Sequence, residues 1–482
     1  MDNLKVLDLF AGGGGFSTGF LAAKHSNINY ELAGALEVDP DACLTLISHH
    51  GEDKVIDGDI TDPIKKEEVI KRCSNVDVII GGPPCQTFSL AGPARSGKKE
   101  IREKLREDPR NMLYSHFFDL VGKIKPSFVV FENVEGMASK KAESTDLSNK
   151  QRAVIDLVCE DLKDLGYNTE VTPTVETGLA AEYQVLNSAD YGVPQYRRRI
   201  IIIANRIGIA NPIPEKTHGD GRRPHLTVKD AIGHLPVRLP KINPHGIPHL
   251  KNMNVILDNY KKSLKLFKDA INETVKEDPA FNSFLKWFNR ECRRLSTVKE
   301  NHFDELKKFF LIYNMKLEEV EQTFIDLPSS TSHTSRMHNF RDIIIFILTK
   351  PGSNSARFIN KNRKEDYSKL LSDLYPYARD KHKDTYVKHS WDKPSYTILA
   401  HMEKDGLKFI HPEQPRTYTP YEASLIQSFP GDFTFSGGRN AQYRQIGNAV
   451  PPKMAEAIGN SILNALHENN TDLLINETYE RV

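Results

Sequence analysis

The stretch 77–89, DVIIGGPPCQTFS, contains the residue best suited to covalent chemistry. Its apolar run 78–80 is typical of a short buried strand, and the glycines and prolines at 81–84 can neither prolong a strand nor lie inside a helix. Cys85 therefore follows a strand that ends abruptly. Ligands of open α/β sheets bind beyond the carboxyl ends of the strands, so a thiol at this position would face a substrate. The alternative is that Cys85 is a small buried apolar residue, as most lone cysteines are.

A nucleotide-type cradle is predicted at the start of the chain. A first strand at 4–10 leads into the glycine-rich turn 11–15 and a helical stretch at 16–23. This arrangement lets the backbone approach a ligand at a helix N-terminus. The next strand ends at Glu37, about 20 residues beyond the glycines, where a carboxylate can accept hydrogen bonds from both hydroxyls of a ribose.

Two more carboxylates fall at the ends of predicted strands. A third short strand ends close to Asp59, which could accept a hydrogen bond from an adenine amino group or simply be a surface acid. Another apolar run ends at Glu132. Because the carboxyl ends of parallel strands share one edge of a sheet, we expect Glu37, Asp59, Cys85 and Glu132 to lie along that edge.

Arginines crowd the sequence 195–199, QYRRR. Successive side chains of a strand alternate between its faces, so Gln195, Arg197 and Arg199 share one face and Arg198 lies on the other. Two guanidinium groups beside an apolar run are unfavourable unless they have anionic or carbonyl partners. We therefore predict a substrate-binding role for Arg197 and Arg199, with solvated arginines at a strand edge as the alternative.

The composition is ordinary for a globular protein. The length of 482 residues predicts two domains, because single cores rarely grow beyond roughly 300 residues. No apolar run approaches the roughly 18 residues of a membrane span, and the N-terminal residues do not resemble a signal peptide. The cysteines are scattered without the spacing of a metal site, so we expect a reducing cytosol and no metal. They are Cys43, Cys73, Cys85, Cys159 and Cys292.

Charge is unevenly distributed, although the net charge is only +1. Residues 206–415 contain 36 lysines and arginines against 26 acidic residues, a net charge of +10, and the remainder contains 29 against 38, a net charge of −9. The asymmetry indicates a nucleic-acid partner, although charge runs are often only solvated surface. The basic loop 95–110 could close over such a partner or be a solvated linker. Within 254–325 the apolar spacing predicts helices with buried aromatic residues.

Eight motifs, taken in order, resemble the cytosine carbon-5 DNA methyltransferase family in its prokaryotic restriction-modification form. They are DLFAGGGG at 8–15, the acidic strand end at Glu37, GDI at 58–60, GPPCQTFS at 82–89, ENV at 132–134, QYRRR at 195–199, RTYTPYEASLIQSFP at 416–430 and QIGNAVPP at 445–452. The resemblance implies an α/β fold class, with a Rossmann-like S-adenosylmethionine-dependent methyltransferase sheet and a second, smaller target-recognition domain. It also implies double-stranded DNA as the substrate.

The resemblance implies a mechanism as well. Cys85 would add to carbon 6 of a flipped-out cytosine and so make carbon 5 nucleophilic. Glu132 would hold the exocyclic amine and ring nitrogen 3, and Arg199 would bind the carbonyl oxygen. Arg197 would anchor phosphate or order a loop. Gln86 and Gln195 are the residues expected to contact DNA.

The implied methyl donor is S-adenosylmethionine, and no metal is expected. Phe10 would pack on the adenine, Glu37 would bind the ribose and Asp59 the adenine amine. The complete expected pocket is Asp8, Phe10, Gly12, Gly14, Glu37, Asp59, Ile60, Pro84 and Asn448.

The resemblance divides the chain into three segments. Residues 1–205 would form the catalytic and cofactor-binding domain, 206–415 the target-recognition domain with a helical insertion, and 416–482 a C-terminal segment that returns to the catalytic domain. We expect a cytoplasmic bacterial monomer without membrane association, linked to a cognate restriction endonuclease only genetically. The alternatives are a tRNA cytosine-5 methyltransferase, which would have a shorter recognition segment, and a non-catalytic DNA-binding regulator of the same fold.

Overall fold

A computed structural model describes residues 3–84, 113–139, 154–171, 181–245, 255–324, 332–355, 367–377, 385–404 and 406–479. Cys85, Gln86 and the basic loop 95–110 lie outside the described residues. The chain forms two compact units. The sheet unit comprises residues 1–226, 427–429 and 435–482, and the helical unit comprises residues 227–426 and 430–434.

Strands and helices alternate through the first part of the sheet unit. They are β1 (Leu4–Leu9), α1 (Gly15–Ala22), β2 (Lys24–His25), β3 (Ile28–Glu37), α2 (Pro40–His50), β4 (Val55–Asp57), α3 (Pro63–Arg72), β5 (Val78–Gly81), α4 (Leu113–Ile124), β6 (Phe128–Val134), α5 (Gly136–Ser139), α6 (Val154–Asp164), β7 (Gln184–Asn187) and β8 (Arg198–Asn205). Helix α2 begins with Pro40 after the N-cap Asp39, whose carboxylate accepts hydrogen bonds from the backbone N–H groups of Asp41 and Ala42.

The described strands of the sheet unit form one mixed sheet in the order β2-β3-β1-β5-β6-β8-β7, with β4 beside β3. The pairs β4-β3, β3-β1, β1-β5 and β5-β6 are parallel, and β8 is antiparallel to both β6 and β7. The predicted α/β class with a mainly parallel sheet is therefore confirmed. Because five neighbouring strands run the same way, their carboxyl ends meet at one edge of the sheet.

Apolar side chains on both faces explain why the central strands are buried. In β5, Ile79 packs on one face with Phe117 of α4 and Val158 of α6. Val78 and Ile80 contribute to the core on the opposite face. A strand covered on both sides is apolar at every position, and this explains the uninterrupted run at 78–80.

The helical unit contains a bundle of long helices. Its elements are α7 (Val228–Ile232), β9 (Lys241–Ile242), α8 (Tyr260–Thr274), α9 (Asn282–Ser296), α10 (His302–Glu321), β10 (Met337–His338), α11 (Phe340–Leu348), α12 (Ser368–Leu374) and α13 (Pro420–Ile426). The helices predicted within 254–325 are confirmed. Phe267, Phe284, Phe288 and Phe309 are at most 3% exposed and pack together, so these aromatics form a core and no base-stacking platform.

The chain then returns to the sheet unit with α14 (Arg439–Asn448) and α15 (Pro452–Tyr479). Two glycines of α1 allow this segment to pack closely. A Cβ added at Gly15 would lie 2.4 Å from the carbonyl oxygen of Val450, and one added at Gly19 would lie 2.3 Å from that of Pro452. Any larger residue at these positions would push the C-terminal segment away.

The divisions between the units differ from the sequence-based domain bounds at 205 and 416. Residues up to Leu226 belong to the sheet unit. Asp190 explains this, because its carboxylate contacts Lys216 at 3.1 Å and His225 at 3.0 Å. Helix α13, which was expected to belong to the returning segment, is part of the helical unit, where Thr419 Oγ1 and His333 Nδ1 are 3.0 Å apart.

A buried ion pair holds α13 in the helical unit. Two guanidinium nitrogens of Arg416 donate to the two carboxylate oxygens of Glu422 at 2.7 and 2.6 Å, and both side chains are at most 1% exposed. Burial alone would raise the pKa of Glu422, but the Arg416 guanidinium outweighs it and holds that pKa well below its ordinary value.

Replacing Glu422 with Gln should therefore leave the Arg416 charge buried without compensation. We expect the free energy of unfolding to fall by about 3 to 5 kcal/mol, measured by urea denaturation. The control is Glu318→Gln, which removes an exposed partner of Lys241 and should cost less than about 1 kcal/mol. Equal losses in the two variants would contradict this account of the pair.

Candidate active site

The turn after β1 and the end of β3 are held together by one carboxylate. Oε2 of Glu37 accepts a hydrogen bond from the Gly12 N–H at 2.7 Å. Its Oε1 accepts from the N–H groups of Val38 and Asp39, both at 2.8 Å. Three backbone donors thus fix this carboxylate at the sheet edge, directly beside the glycine-rich turn.

Space for a ligand is left at this turn. Gly12 has a φ of +55°, and a Cβ added there would have no atom within 4 Å. Phe10, with a φ of +60°, is half-buried beside it. The unfilled position above Gly12 and the aromatic ring next to it fit a flat, polar ligand such as a nucleoside.

The segment after β4 adds a further polar group, the carboxylate of Asp59. The Gly58 N–H donates to the Glu37 carbonyl at 2.9 Å, and this places Asp59 beside the β3 end. Asp59 is exposed and accepts from the Thr61 N–H, whereas Ile60 is buried. Three adjacent strands therefore bring Phe10, Glu37 and Asp59 to one edge, as the sequence predicted for the two acids.

Asp8 lies beneath this surface, although it was expected to line the cofactor pocket. Its side chain is 1% exposed, and its carboxylate accepts a hydrogen bond from the Ser17 N–H in α1 at 3.2 Å. Burial raises the pKa of Asp8 to about 7, against smaller lowering effects of the Ser17 hydrogen bonds. In this structure Asp8 contacts the first turn of α1 and has almost no surface to offer a ligand.

The second part of the candidate site is a carboxylate–guanidinium pair on β6 and β8. Nε of Arg199 lies 2.9 Å from Oε1 of Glu132, and both side chains are 11% exposed. Burial lowers the pKa of Arg199, and the Glu132 charge and hydrogen bond partly offset this effect. Arg199 thus pairs with Glu132, and both were predicted to be catalytic residues.

The segment before Cys85 is tied to the same strand. A Cβ added at Gly82 would lie 2.7 Å from Oε2 of Glu132, so a larger residue would require this carboxylate to move. Nδ2 of Asn133 donates to the Pro83 carbonyl at 3.2 Å. Pro84 is exposed. Sequence reasoning gave Asn133 no role, although it stands in the same ENV motif as Glu132.

Side chains along 195–199 alternate between buried and exposed, as predicted. The buried ones bond to other residues inside the sheet unit. Arg198 is exposed and pairs with Glu135, whereas Arg197 is 2% exposed and donates through both terminal nitrogens to the Gly447 carbonyl at 3.2 Å. Burial lowers the pKa of Arg197 well below its ordinary value. These contacts connect β8 to the end of α14, next to the exposed Asn448.

Gln195 is also directed inward, although it was expected to contact DNA. It is 0% exposed and hydrogen-bonded to Gln427. Nε2 of Gln427 in turn donates to the carbonyls of Ile446 and Ala449 at 3.0 and 2.7 Å. Gln195 has no surface on which to meet DNA in this conformation. Sequence reasoning missed Gln427, whose only signal is its position just before Ser428-Phe429-Pro430 in one of the eight motifs.

The four cysteines among the described residues are poor nucleophiles. All four are buried, and burial raises the pKa of each thiol, to about 11 for Cys73 and to about 12 for Cys43, Cys159 and Cys292. A thiolate is the reactive form, so none of them is suited to covalent chemistry.

No helix in the described part of the chain is both long and apolar enough to cross a membrane.

The raised pKa of Asp8 predicts a pH dependence of stability. Below pH 4 the carboxyl is protonated in both folded and unfolded chains, and above about pH 7 it is ionised in both, so its destabilising effect grows between these limits. Asp8→Asn should remove this part of the stability loss, no more than about 4 kcal/mol, when urea unfolding is followed from pH 4 to pH 8. The exposed Asp164→Asn serves as the control. Parallel pH profiles for wild type and Asp8→Asn would refute the prediction.

Comparison with known proteins shows the family of this chain. Residues 4–464 match the family model described as C-5 cytosine-specific DNA methylase. The chain is 29% identical to the type II methyltransferase M1.HphI of Haemophilus parahaemolyticus, over 96% of this chain and 87% of that protein. It is 30% identical to the type II methyltransferase M.Bpa9945I of Bacillus paralicheniformis, over 82% of this chain and 72% of that protein.

A solved structure shares the fold. It is named as a DNA modification methyltransferase encoded within a prophage of Escherichia coli, and it aligns with a TM-score of 0.54 at 19% identity, over 96% of this chain and 99% of that one. Such a level of identity supports the fold, while the family model covers nearly the whole chain. The protein therefore belongs to the C-5 cytosine-specific DNA methylase family.

Proposed function

We propose that this DNA cytosine-5 methyltransferase, of the type II restriction-modification type, methylates a flipped-out cytosine through a covalent adduct with Cys85. The observation that carries the proposal is the contact between two motifs. Gly82 passes the Glu132 carboxylate, and Asn133 holds the Pro83 carbonyl. Cys85 follows Pro83 by two residues, so its thiol is expected within reach of a ring bound by Glu132.

The pyrimidine would be recognised by charged groups that the structure already pairs. One oxygen of Glu132 would accept from the exocyclic amine, the other would share a proton with ring nitrogen 3, and the Arg199 guanidinium would donate to the carbonyl oxygen of the ring. The ion pair fixes both side chains before substrate arrives, which reduces the ordering needed on binding. A paired cytosine cannot present its ring to these groups, so the base must leave the duplex at a cost of roughly a few kcal/mol.

The covalent step then follows from the chemistry of cytosine. Carbon 5 is a weak nucleophile until the Cys85 thiolate adds to carbon 6, after which electron density moves to carbon 5. Transfer of the shared proton from Glu132 to nitrogen 3 neutralises the negative charge that develops in the ring as the thiolate adds. After carbon 5 has gained a methyl group, nitrogen 3 returns its proton to Glu132, a water molecule takes the proton from carbon 5, the bond between sulfur and carbon 6 breaks, and the thiolate is regenerated.

S-adenosylmethionine is the proposed methyl donor, and when bound it supplies an electrophilic methyl group on a sulfonium. Residues of the sheet edge fit it. The Glu37 carboxylate, fixed by three backbone donors, would accept from the ribose hydroxyls, and Phe10 would contact the adenine. Asp59 would accept from the adenine amine, and the open position at Gly12 leaves room for the ligand.

Double-stranded DNA is the proposed substrate, with a cognate endonuclease linked only genetically, and we propose a cytoplasmic monomer. Bisulfite sequencing of DNA from cells that express the protein should reveal methylated cytosines at one sequence context. The same experiment addresses the tRNA alternative, since methylated tRNA without methylated DNA would contradict the proposal.

Cys85→Ala should abolish transfer of labelled methyl groups to plasmid DNA while binding of S-adenosylmethionine persists, because Cys85 is not among the residues expected to hold the donor. Wild-type enzyme should also form a detergent-stable adduct with DNA that contains 5-fluorocytosine, and the variant should form none. Cys159→Ala, which alters a buried thiol with a raised pKa, is the matched control and should retain both activities. Turnover by Cys85→Ala would refute the covalent mechanism.

Gly82→Ala tests the contact between the two motifs. The added Cβ would lie 2.7 Å from Oε2 of Glu132, so it must displace this carboxylate. We expect kcat to fall by roughly 10- to 100-fold with little change in cofactor affinity. Gly438→Ala is the control, because a Cβ there has no atom within 4 Å. If Gly82→Ala turned over like Gly438→Ala, the proposed placement of Glu132 would be wrong.

A further inference from the structure

Helices α8 and α9 of the helical unit carry most of the positive charge of their bundle. Together they contain eight lysines and arginines against three acidic residues, a net charge of +5, whereas α10 contains three against five, a net charge of −2. The charge is therefore concentrated on one pair of helices and is not a general property of the bundle.

These charges lie on the outer face of the pair. The inner face of α8 is formed by Leu264, Phe267 and Ile271, and that of α9 by Phe284 and Phe288. Most of the charged side chains that remain outside are basic, and Asp269 and Glu273 are the exposed acidic residues of the two helices. Lys261, Lys265, Lys286, Arg290, Arg293 and Arg294 are exposed, and Lys262 and Lys268 are partly so.

Two asparagines show which basic residues face each other. Nδ2 of Asn272 in α8 donates to Oδ1 of Asn289 in α9 at 3.0 Å, and Nδ2 of Asn289 donates back to Oδ1 of Asn272 at 2.8 Å. This reciprocal pair is partly exposed, so it marks the seam between the helices at the surface.

Helical periodicity then defines the two sides of this seam. Residues three or four apart lie on the same side of a helix. Lys268, Lys265 and Lys261 thus continue the side that begins at Asn272. On α9, Lys286 and Arg293 lie on either side of Asn289. We call this surface the basic seam, defined by Lys261, Lys265, Lys268, Lys286 and Arg293.

Among the residues that the structure describes, one lysine on the α8 side has an acidic partner along this row. Lys265 contacts Asp269 at 2.5 Å, one turn further along α8. Asp258 lies one turn before Lys261 and is exposed. The row from Lys261 to Asn272 is about 16 Å long, which corresponds to about five nucleotides of one DNA strand.

We propose that the basic seam binds the phosphate backbone of duplex DNA independently of base sequence; this inference rests on the proposed function. Lysine is a mobile point charge that suits phosphate and discriminates poorly between bases. Because the aromatic residues of α8 and α9 face the core, the seam offers no stacking platform for unpaired bases. The contact adds affinity and salt dependence, whereas the target sequence is read elsewhere.

The test compares two triple variants that each remove three positive charges. The first, K261Q/K268Q/R293Q, neutralises the seam, and the control, K71Q/K307Q/K369Q, neutralises lysines on α3, α10 and α12. Binding of a 30-base-pair duplex of random sequence is measured by fluorescence anisotropy from 50 to 300 mM salt. The slope of log K against log salt should become less negative by up to about 2.7 in the seam variant, from three phosphate contacts at about 0.9 each. It should stay close to the wild-type slope in the control.

Two further measurements separate the possible failures. The charge-preserving variant K261R/K268R/R293K should restore the wild-type slope, which distinguishes lost charge from misfolding. Methylation of plasmid DNA by the seam variant at low salt should keep the wild-type bisulfite pattern. If seam and control variants share one slope, the inference is overturned, although the enzyme still methylates DNA. If the wild-type enzyme does not methylate duplex DNA at all, the proposed function fails instead.

Discussion

The structure depends on keeping charged groups at the edge of an apolar sheet. A carboxylate surrounded by buried strands is unfavourable unless opposite charge and hydrogen-bond donors surround it. The sheet unit satisfies this requirement twice. Glu132 pairs with Arg199 of the neighbouring strand, and Glu37 accepts from three backbone N–H groups. Both carboxylates are thereby held rigid at the edge where the parallel strands end.

The same requirement explains how the C-terminal segment becomes part of the site. Arg197 is buried near Arg199, and the two terminal nitrogens of its guanidinium donate to the Gly447 carbonyl. Gln195 and Gln427 form a second connection, to the carbonyls of Ile446 and Ala449. Polar side chains inside the sheet unit thus select one position for α14, and Asn448 is presented at the surface beside them. Closely packed glycines in α1 complete the contact with the returning chain.

The two units handle charge differently. In the sheet unit the largely buried charges of Glu132 and Arg199 pair with each other, whereas the helical unit combines the buried pair of Arg416 and Glu422 with an outer surface of unequal charge. Helices α8 and α9 are strongly basic, and α10 is acidic. The aromatic side chains of the bundle pack in its core. Basic side chains on its surface can therefore contact a polyanion without disturbing that packing.

Much of the fold could be predicted from the sequence alone. Apolar runs that end in glycine or a carboxylate indicated the parallel strands, and the apolar spacing within 254–325 indicated helices with an aromatic core, because strand and helix periods depend only on local geometry. Alternation also predicted that Arg197 and Arg199 share a face. The partners of these residues were decided only by tertiary structure. Gln195 faces inward and α13 joins the helical unit through contacts between residues far apart in the chain, and such pairings leave no periodic signal in the sequence. Asp8 bonds to nearby Ser17, but its burial depends on how α1 packs on the sheet.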